Sequence, residues 1–134
     1  MLHVLLIEDN SGDVLMVREA IRTSPTKADV VIAYDGEQAL RFLMEFKFKP
    51  DLIILDLNVP KFNGLQILER YRANEGPPVV VLTSSVNPTD KARALELGVK
   101  EYIVKPTDLD SFLKAVRGAL ERWTSGTAKF VGGD

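Results

Sequence analysis

The chain has 134 residues, 46% of them apolar and 27% charged, which is enough apolar material for one domain with one sizeable core. Its formal net charge of −2 gives no overall electrostatic footprint for nucleic acid or an anionic membrane. The absence of cysteine excludes disulfides, thiolate metal sites and a cysteine nucleophile, and the single histidine, His3, stands at the front of a strand, away from other ligands for zinc or partners for a catalytic triad.

The elements follow in strict alternation. Leu2 to Ile7 (LHVLLI) reads as a buried strand, and Ser11 to Thr23 as a helix with Val14, Leu15, Val17 and Ile21 mostly on one face, capped by Ser11 or Asp13. Val30 to Ala33 is a second strand. Gly36 to Phe46 carries Ala39, Leu40, Phe42, Leu43 and Phe46 at helical spacing. Leu52 to Leu55 (LIIL) is a third strand, followed by a helix over Gly64 to Asn74 with Leu65, Ile67, Leu68 and Tyr71. Val79 to Leu82 is the fourth strand, Pro88 to Leu97 the fourth helix and Glu101 to Val104 the fifth strand. Leu109, Phe112, Leu113, Val116 and Leu120 mark the last helix. Such an order calls for a parallel sheet covered on both faces by helices through right-handed crossovers. One domain over 1–123 is expected, followed by a small, polar, Gly-rich tail from Thr124 to Asp134 that is expected to be mobile. The longest apolar runs fall far short of a membrane span, and MLHVLLIEDN lacks the marks of a signal peptide, so a cytoplasmic location is the expectation.

In an open α/β sheet, ligands bind beyond the carboxyl ends of the strands, so the residues directly after each strand carry the information. Glu8 and Asp9 follow the first strand, Asp56 the third, Thr83 the fourth and Lys105 the fifth. Taken singly, each has an ordinary reading: loop polarity, a helix cap, a strand-end hydroxyl, a solvated lysine. Together they put three carboxylates, a hydroxyl and an ammonium on one edge. Three converging carboxylates repel and raise one another's pKa unless a cation joins them, and a hard divalent ion such as Mg²⁺ suits the set.

These residues resemble the receiver domains of two-component response regulators. The resemblance runs from Leu2 to Leu120 and rests on four motifs in order: the acidic pair in LLIEDN, DLNVPKFNG from Asp56 to Gly64, VLTSS around Thr83, and YIVKP from Tyr102 to Pro106. It implies a flavodoxin-like doubly wound (βα)5 fold with sheet order 2-1-3-4-5. It further implies Asp56 as the phosphoryl-accepting nucleophile, with Mg²⁺ on Asp9, Asp56 and the Asn58 carbonyl and Glu8 acting through water. Lys105 and Thr83 would bond phosphoryl oxygens, and Tyr102 would be the aromatic that turns inward when Thr83 moves. The family further implies a cis Lys105-Pro106 bond that aims the lysine at the site. Gly64 is expected to permit close packing or a positive φ, and Pro60 to make a rigid loop corner. Glu8 stands where the family more often has aspartate, and Ser84 where alanine is frequent but still small. Asn58 and Ser85 occupy positions that tune hydrolysis of the acyl phosphate.

The implied partners are a sensor histidine kinase, of phytochrome type by the likeness of IEDNSGDVLMVREAI, DLNVPKFNG and DLDSFLKAV, and a downstream protein or phosphotransfer partner. Output and self-association as a homodimer are expected on the face of the fourth helix, fifth strand and fifth helix, through Tyr102, Phe112 or its neighbours, and Trp123. Three other readings compete. A haloacid-dehalogenase-like phosphatase needs an aspartate two residues after its nucleophile, where this chain has Asn58, and a cap domain. A flavodoxin-like nucleotide module needs a Gly-rich phosphate loop, where EDNSGD presents carboxylates. A receiver cut from a longer DNA-binding regulator would share every motif, although Met1 and the tail favour a stand-alone protein.

Overall fold

The computed structural model describes residues 1–45, 48–72 and 75–133, with side chains through Thr124. Five strands, β1 (Leu2–Ile7), β2 (Ala28–Ala33), β3 (Leu52–Leu55), β4 (Val79–Thr83) and β5 (Glu101–Val104), form one sheet in the order β2-β1-β3-β4-β5. All four pairings are parallel. The helices are α1 (Ser11–Arg22), α2 (Gly36–Leu40), α3 (Gly64–Tyr71), α4 (Pro88–Glu96) and α5 (Leu109–Gly133). The fold is the doubly wound one that the sequence predicts.

The strands alternate their side chains between two apolar layers, as the two-residue period of a strand requires. Leu5, Ile7, Ile53, Leu55, Val79 and Val81 face α2, α3 and α4 through Ala39, Ile67, Leu68 and Ala94. Val4, Leu6, Ile54, Val80 and Leu82 face α1 and α5 through Val14, Val17, Ala20, Phe112, Val116 and Leu120. Every residue of β3 is buried, so this central strand carries no polar face at all. Burying a side chain of this kind contributes roughly 1.5–3 kcal/mol, which makes β3 a rigid base for the residue after it.

An Asx side chain starts each helix. Asn10 accepts from the Asp13 N–H at 2.9 Å, Asp35 from Gln38, Asn87 from Thr89 and Asp108 from Ser111. Asn63 and Gln66 form a reciprocal capping box. The cap of α1 is therefore Asn10 rather than Ser11 or Asp13, because Asn10 keeps the extended backbone that a cap needs while Ser11 and Asp13 are already helical. At the other end of α4, Gly98 at φ 101° provides the left-handed turn into β5.

The boundaries differ in places, and β2 begins at Ala28, two residues before the strand expected over Val30 to Ala33. The second helix widens at Arg41–Glu45 into a π-helical turn, and Leu40, Phe42 and Leu43 all reach the core there. Phe46, Ala73 and Asn74 of the expected helices lie outside the described residues. The α5 helix is continuous from Leu109 to Gly133, while the tail expected over Thr124 to Asp134 falls, Thr124 apart, on residues whose side chains are outside those described.

Candidate functional site

Sheet register brings the strand-end residues together. Ile7 of β1 stands opposite Leu55 of β3, and the Asp56 N–H continues that ladder to the Ile7 carbonyl at 3.0 Å. Thr83 of β4 stands opposite Val104, and the Lys105 N–H donates to the Thr83 carbonyl at 2.8 Å. The Glu8 N–H is tied likewise to the Ala33 carbonyl of β2. The backbone thus holds Glu8, Asp56, Thr83 and Lys105 side by side at the carboxyl edge of the sheet. Gly64 supports the arrangement by close packing, at an ordinary φ: a Cβ there would stand 2.6 Å from the Leu57 Cα.

Lys105 is the centre of the site. Its Nζ lies 2.8 Å from Glu8 Oε1, 2.6 Å from Asp13 Oδ2 and 2.9 Å from Asp56 Oδ2, and its side chain is only 10% exposed. Burial pulls the ammonium pKa down, but the hydrogen bonds to Asp13, Glu8 and Asp56 outweigh it, so the lysine titrates above its ordinary range. Asp56 is buried, which pushes its pKa up. The Asn58 N–H on Oδ1 at 3.0 Å, the Lys105 ammonium and the Thr83 hydroxyl outweigh that burial, so the carboxyl ionises below its usual range. Glu8 goes the other way: burial, with the Asp56 charge added, raises it to about 7 against the pull of Lys105 and the Asn10 N–H. Two neighbouring carboxylates thus have their pKa values driven apart, the kind of asymmetry that marks sites of chemistry.

Glu8, Asp9 and Asp56 offer carboxylate oxygens that lie within 4.8 Å of one another. Such a spread fits one small divalent ion, whose oxygen ligands stand about 2.0–2.1 Å from it. Three carboxylates and a nearby fourth, Asp13, against one ammonium leave excess negative charge that a cation would neutralise. The three acids are not equivalent. Both Glu8 oxygens are engaged, by Lys105 and by the Asn10 N–H at 3.0 Å, while Asp9 is exposed and makes no side-chain hydrogen bond among the described residues.

Around this centre, Ser85 donates its N–H to Thr83 Oγ1 at 3.3 Å and its hydroxyl to Asp90 of α4 at 2.8 Å. The Tyr102 hydroxyl donates to the Ser85 carbonyl at 3.0 Å, and its half-buried ring packs against the core on the α2–α4 side. Two expectations need correction. The Lys105-Pro106 bond is trans, the isomer that an X-Pro bond ordinarily favours, and the lysine is aimed instead by its three carboxylate partners. Phe112 is 1% exposed and belongs to the core between the sheet and α5, so it is not an interface residue. Lys105 lies at the site where the sequence reading placed it, its side chain 10% exposed. Trp123, half-buried, gives its indole N–H to Glu101 at 2.8 Å, joining α5 to β5. His3 sits at the opposite end of β1, exposed and 3.7 Å from Asp29. The residue that the sequence reading left out of the site is Asp13. Its signal was its spacing, one helical turn beyond the acidic pair, on the side of α1 that faces the strand ends.

A parallel sheet of this order, with an acidic cluster and a buried lysine at its carboxyl edge, defines a receiver, and the chain belongs to the response regulator receiver domain family, which matches residues 4–117. It is accordingly the receiver domain of a response regulator in two-component signalling. It is similar to the response regulator Rcp1 of Synechocystis sp., with 37% identity over 128 residues covering 90% of this chain and 87% of Rcp1. A Mn²⁺-bound structure of Rcp1 superposes with a TM-score of 0.82 at 35% identity, covering 92% of this chain and 95% of that one. The phosphorylated cyanobacterial phytochrome response regulator RcpA superposes at 0.85 with 34% identity, covering 93% and 95%. The response regulator ArlR of Staphylococcus saprophyticus is 33% identical over 122 residues, which is 91% of this chain but 54% of ArlR, so the chain spans about half the length of that relative. Among the described residues, no helix is long and apolar enough to cross a membrane.

Proposed function

We propose that the protein accepts a phosphoryl group on Asp56 from the phosphohistidine of a sensor histidine kinase and signals through a change in its protein-binding surface. The observation that carries this reading is the state of Asp56: a buried carboxylate kept ionised, with one oxygen on the Lys105 ammonium and the other on the Asn58 N–H. An ionised carboxylate is the nucleophile that aspartyl phosphate formation needs. In the transfer, an Asp56 oxygen bonds to phosphorus as the phosphorus–nitrogen bond breaks, and the imidazole leaves with the electron pair. Lys105 follows a phosphoryl oxygen, and the Thr83 hydroxyl bonds another. The absence of a histidine base at the site is no obstacle, because phosphoryl transfer asks mainly for positioning and charge neutralisation.

The metal would be Mg²⁺, held by Asp9, Asp56 and the Asn58 carbonyl with Glu8 through water, and it would supply charge neutralisation to the transferring group. The engaged oxygens of Glu8 and the unengaged carboxylate of Asp9 support that division. The kinase would be of phytochrome type, by likeness to RcpA and Rcp1. The signalling unit would cover 1–123 with 124–134 as a tail, and the setting would be cytoplasmic. Output and self-association would use the α4-β5-α5 face, on which Leu95, Val104 and Leu109 are exposed large apolar residues among those described.

The test is exposure of wild type and Asp56→Asn to a small phosphodonor with Mg²⁺, read by mass spectrometry. One added phosphoryl on wild type and none on the variant is expected. Equal uptake by both would overturn the assignment.

A further inference from the structure

Lys105 has three N–H donors and, in this structure, three carboxylate oxygens around them, contributed by three different elements: Glu8 after β1, Asp13 in the first turn of α1, and Asp56 after β3. The shortest of the three contacts, at 2.6 Å, is the one to Asp13. Asp13 is not one of the carboxylates clustered for a cation, which are Glu8, Asp9 and Asp56. Its backbone N–H is spent on the Asn10 cap, and its side chain is free to serve the lysine.

From this division we infer that Asp13 is a positioning residue: it anchors the Lys105 ammonium to α1 and so aims one of its N–H groups at Asp56. The inference rests on the reading of Asp56 as phosphoacceptor. The physical need is plain. A lysine stem has four rotatable carbons and a compact charge that no planar geometry orients, so a single partner leaves its donors free to swivel. Glu8 and Asp13 hold the ammonium from two other elements, and Asp56 Oδ2 accepts a hydrogen bond from it at 2.9 Å. Phosphoryl transfer depends on placement of charge to within fractions of an ångström, so an ammonium released from one anchor loses rate while the metal-binding carboxylates stay as they were. What Asp13 supplies is a hydrogen-bond acceptor at a set place, and an asparagine oxygen can supply that without the charge.

The experiment compares Asp13→Ala and Asp13→Asn with wild type in phosphodonor uptake at saturating Mg²⁺, in Mg²⁺ affinity by calorimetry, and in the ¹⁵N ammonium signal of Lys105 in the unphosphorylated protein. The alanine variant is expected to take phosphate about tenfold more slowly, the loss that mispositioning of a catalytic group commonly brings. Its Mg²⁺ affinity should stay within about twofold, since a direct ligand is left in place, and its Lys105 signal should be lost to exchange. The asparagine variant is expected to recover most of the rate and the signal. Equal behaviour of the two variants, whether both wild-type-like or both faster, would overturn the inference, since Asp13 would then act through charge or not at all. A loss of Mg²⁺ affinity parallel to the loss of rate would overturn it as well, by making Asp13 part of the metal site. Failure of the proposed function would look different: wild type itself would take no phosphate, while the ammonium signal would still report whether Asp13 holds Lys105.

Discussion

Tyr102 and Ser85 are joined across the loop between β4 and α4: the phenol hydroxyl donates to the Ser85 carbonyl at 3.0 Å. Ser85 in turn holds the N-terminal part of α4 through Asp90 and touches Thr83 through its N–H. A short chain of bonds therefore runs from the strand end beside Asp56 to the first turn of α4 and to β5.

Tyr102→Phe should loosen that chain without emptying the core, because the ring stays and only the hydroxyl goes. A stability loss of about 1 kcal/mol is expected from one neutral hydrogen bond, with phosphoryl uptake at Asp56 unchanged. Activation should then bind partner or second copy less well than in wild type. Denaturant melts and sedimentation with and without beryllofluoride, on wild type, Tyr102→Phe and Tyr102→Ala, measure both. Wild-type self-association or partner binding that ignores activation would rule out this loop as the output path.

Asp9→Ala should weaken Mg²⁺ binding by about tenfold or more, as expected for loss of a direct carboxylate ligand. Glu8→Ala should cost less metal affinity, because both Glu8 oxygens are already engaged by Lys105 and the Asn10 N–H. Calorimetric titration of the two variants checks the order; the reverse order would mean that Glu8 leaves Lys105 to ligate the ion.

Much of this was legible in the sequence, for a physical reason. Strands buried on both faces must be apolar throughout, so LHVLLI, LIIL and VVVL announced a covered parallel sheet, and the residue after each strand then had only one edge to occupy. What the sequence hid were relations between side chains. Asp13 reads as an ordinary acidic residue in a helix's first turn, and only the packing of α1 against the sheet turns it toward Lys105. Phe112 reads equally well as core or interface, since an aromatic suits both, and the fit of α5 onto Leu82 and Val80 decides for the core. The π-helical turn at Arg41–Glu45 leaves no signature in a pattern that ordinary helical spacing also satisfies.

Lys105→Ala removes the ammonium on which Glu8, Asp13 and Asp56 all converge. Leaving buried carboxylates without their cation should cost on the order of 3 kcal/mol in the metal-free protein. Part of that should return when Mg²⁺ is added, since the ion relieves the same repulsion. Asp56 should still take phosphate, more slowly, and the Tyr102 response should no longer follow. Melts in chelator and in Mg²⁺ give the first two quantities. Wild-type stability of Lys105→Ala in chelator would mean that the carboxylates need no internal cation.

The pH dependence of stability should carry the mark of Glu8. Burial, with the Asp56 charge, raises its pKa from an ordinary 4.5 to about 7, so the folded state binds its proton more tightly than the unfolded chain does. The resulting contribution is fully present below about pH 4.5 and is lost as pH climbs through about 7. Stability of the metal-free protein should therefore decline across that window, by at most on the order of 3–4 kcal/mol at roughly 1.4 kcal/mol per pKa unit. Asp56 does not mask the effect: its pKa is lowered, so its own contribution is present above the ordinary 3.8 and fails only in more acid solution. The Lys105 pKa is raised above its ordinary 10.5, so its contribution changes only in strongly alkaline solution. Glu8→Gln, which keeps the shape and carries no titrating proton, should flatten the slope, and saturating Mg²⁺ should flatten it in wild type by favouring the ionised acid. Urea melts from pH 4.5 to 8 in chelator, in Mg²⁺ and on Glu8→Gln decide the matter: a wild-type slope that survives the Gln substitution would assign the proton to another group.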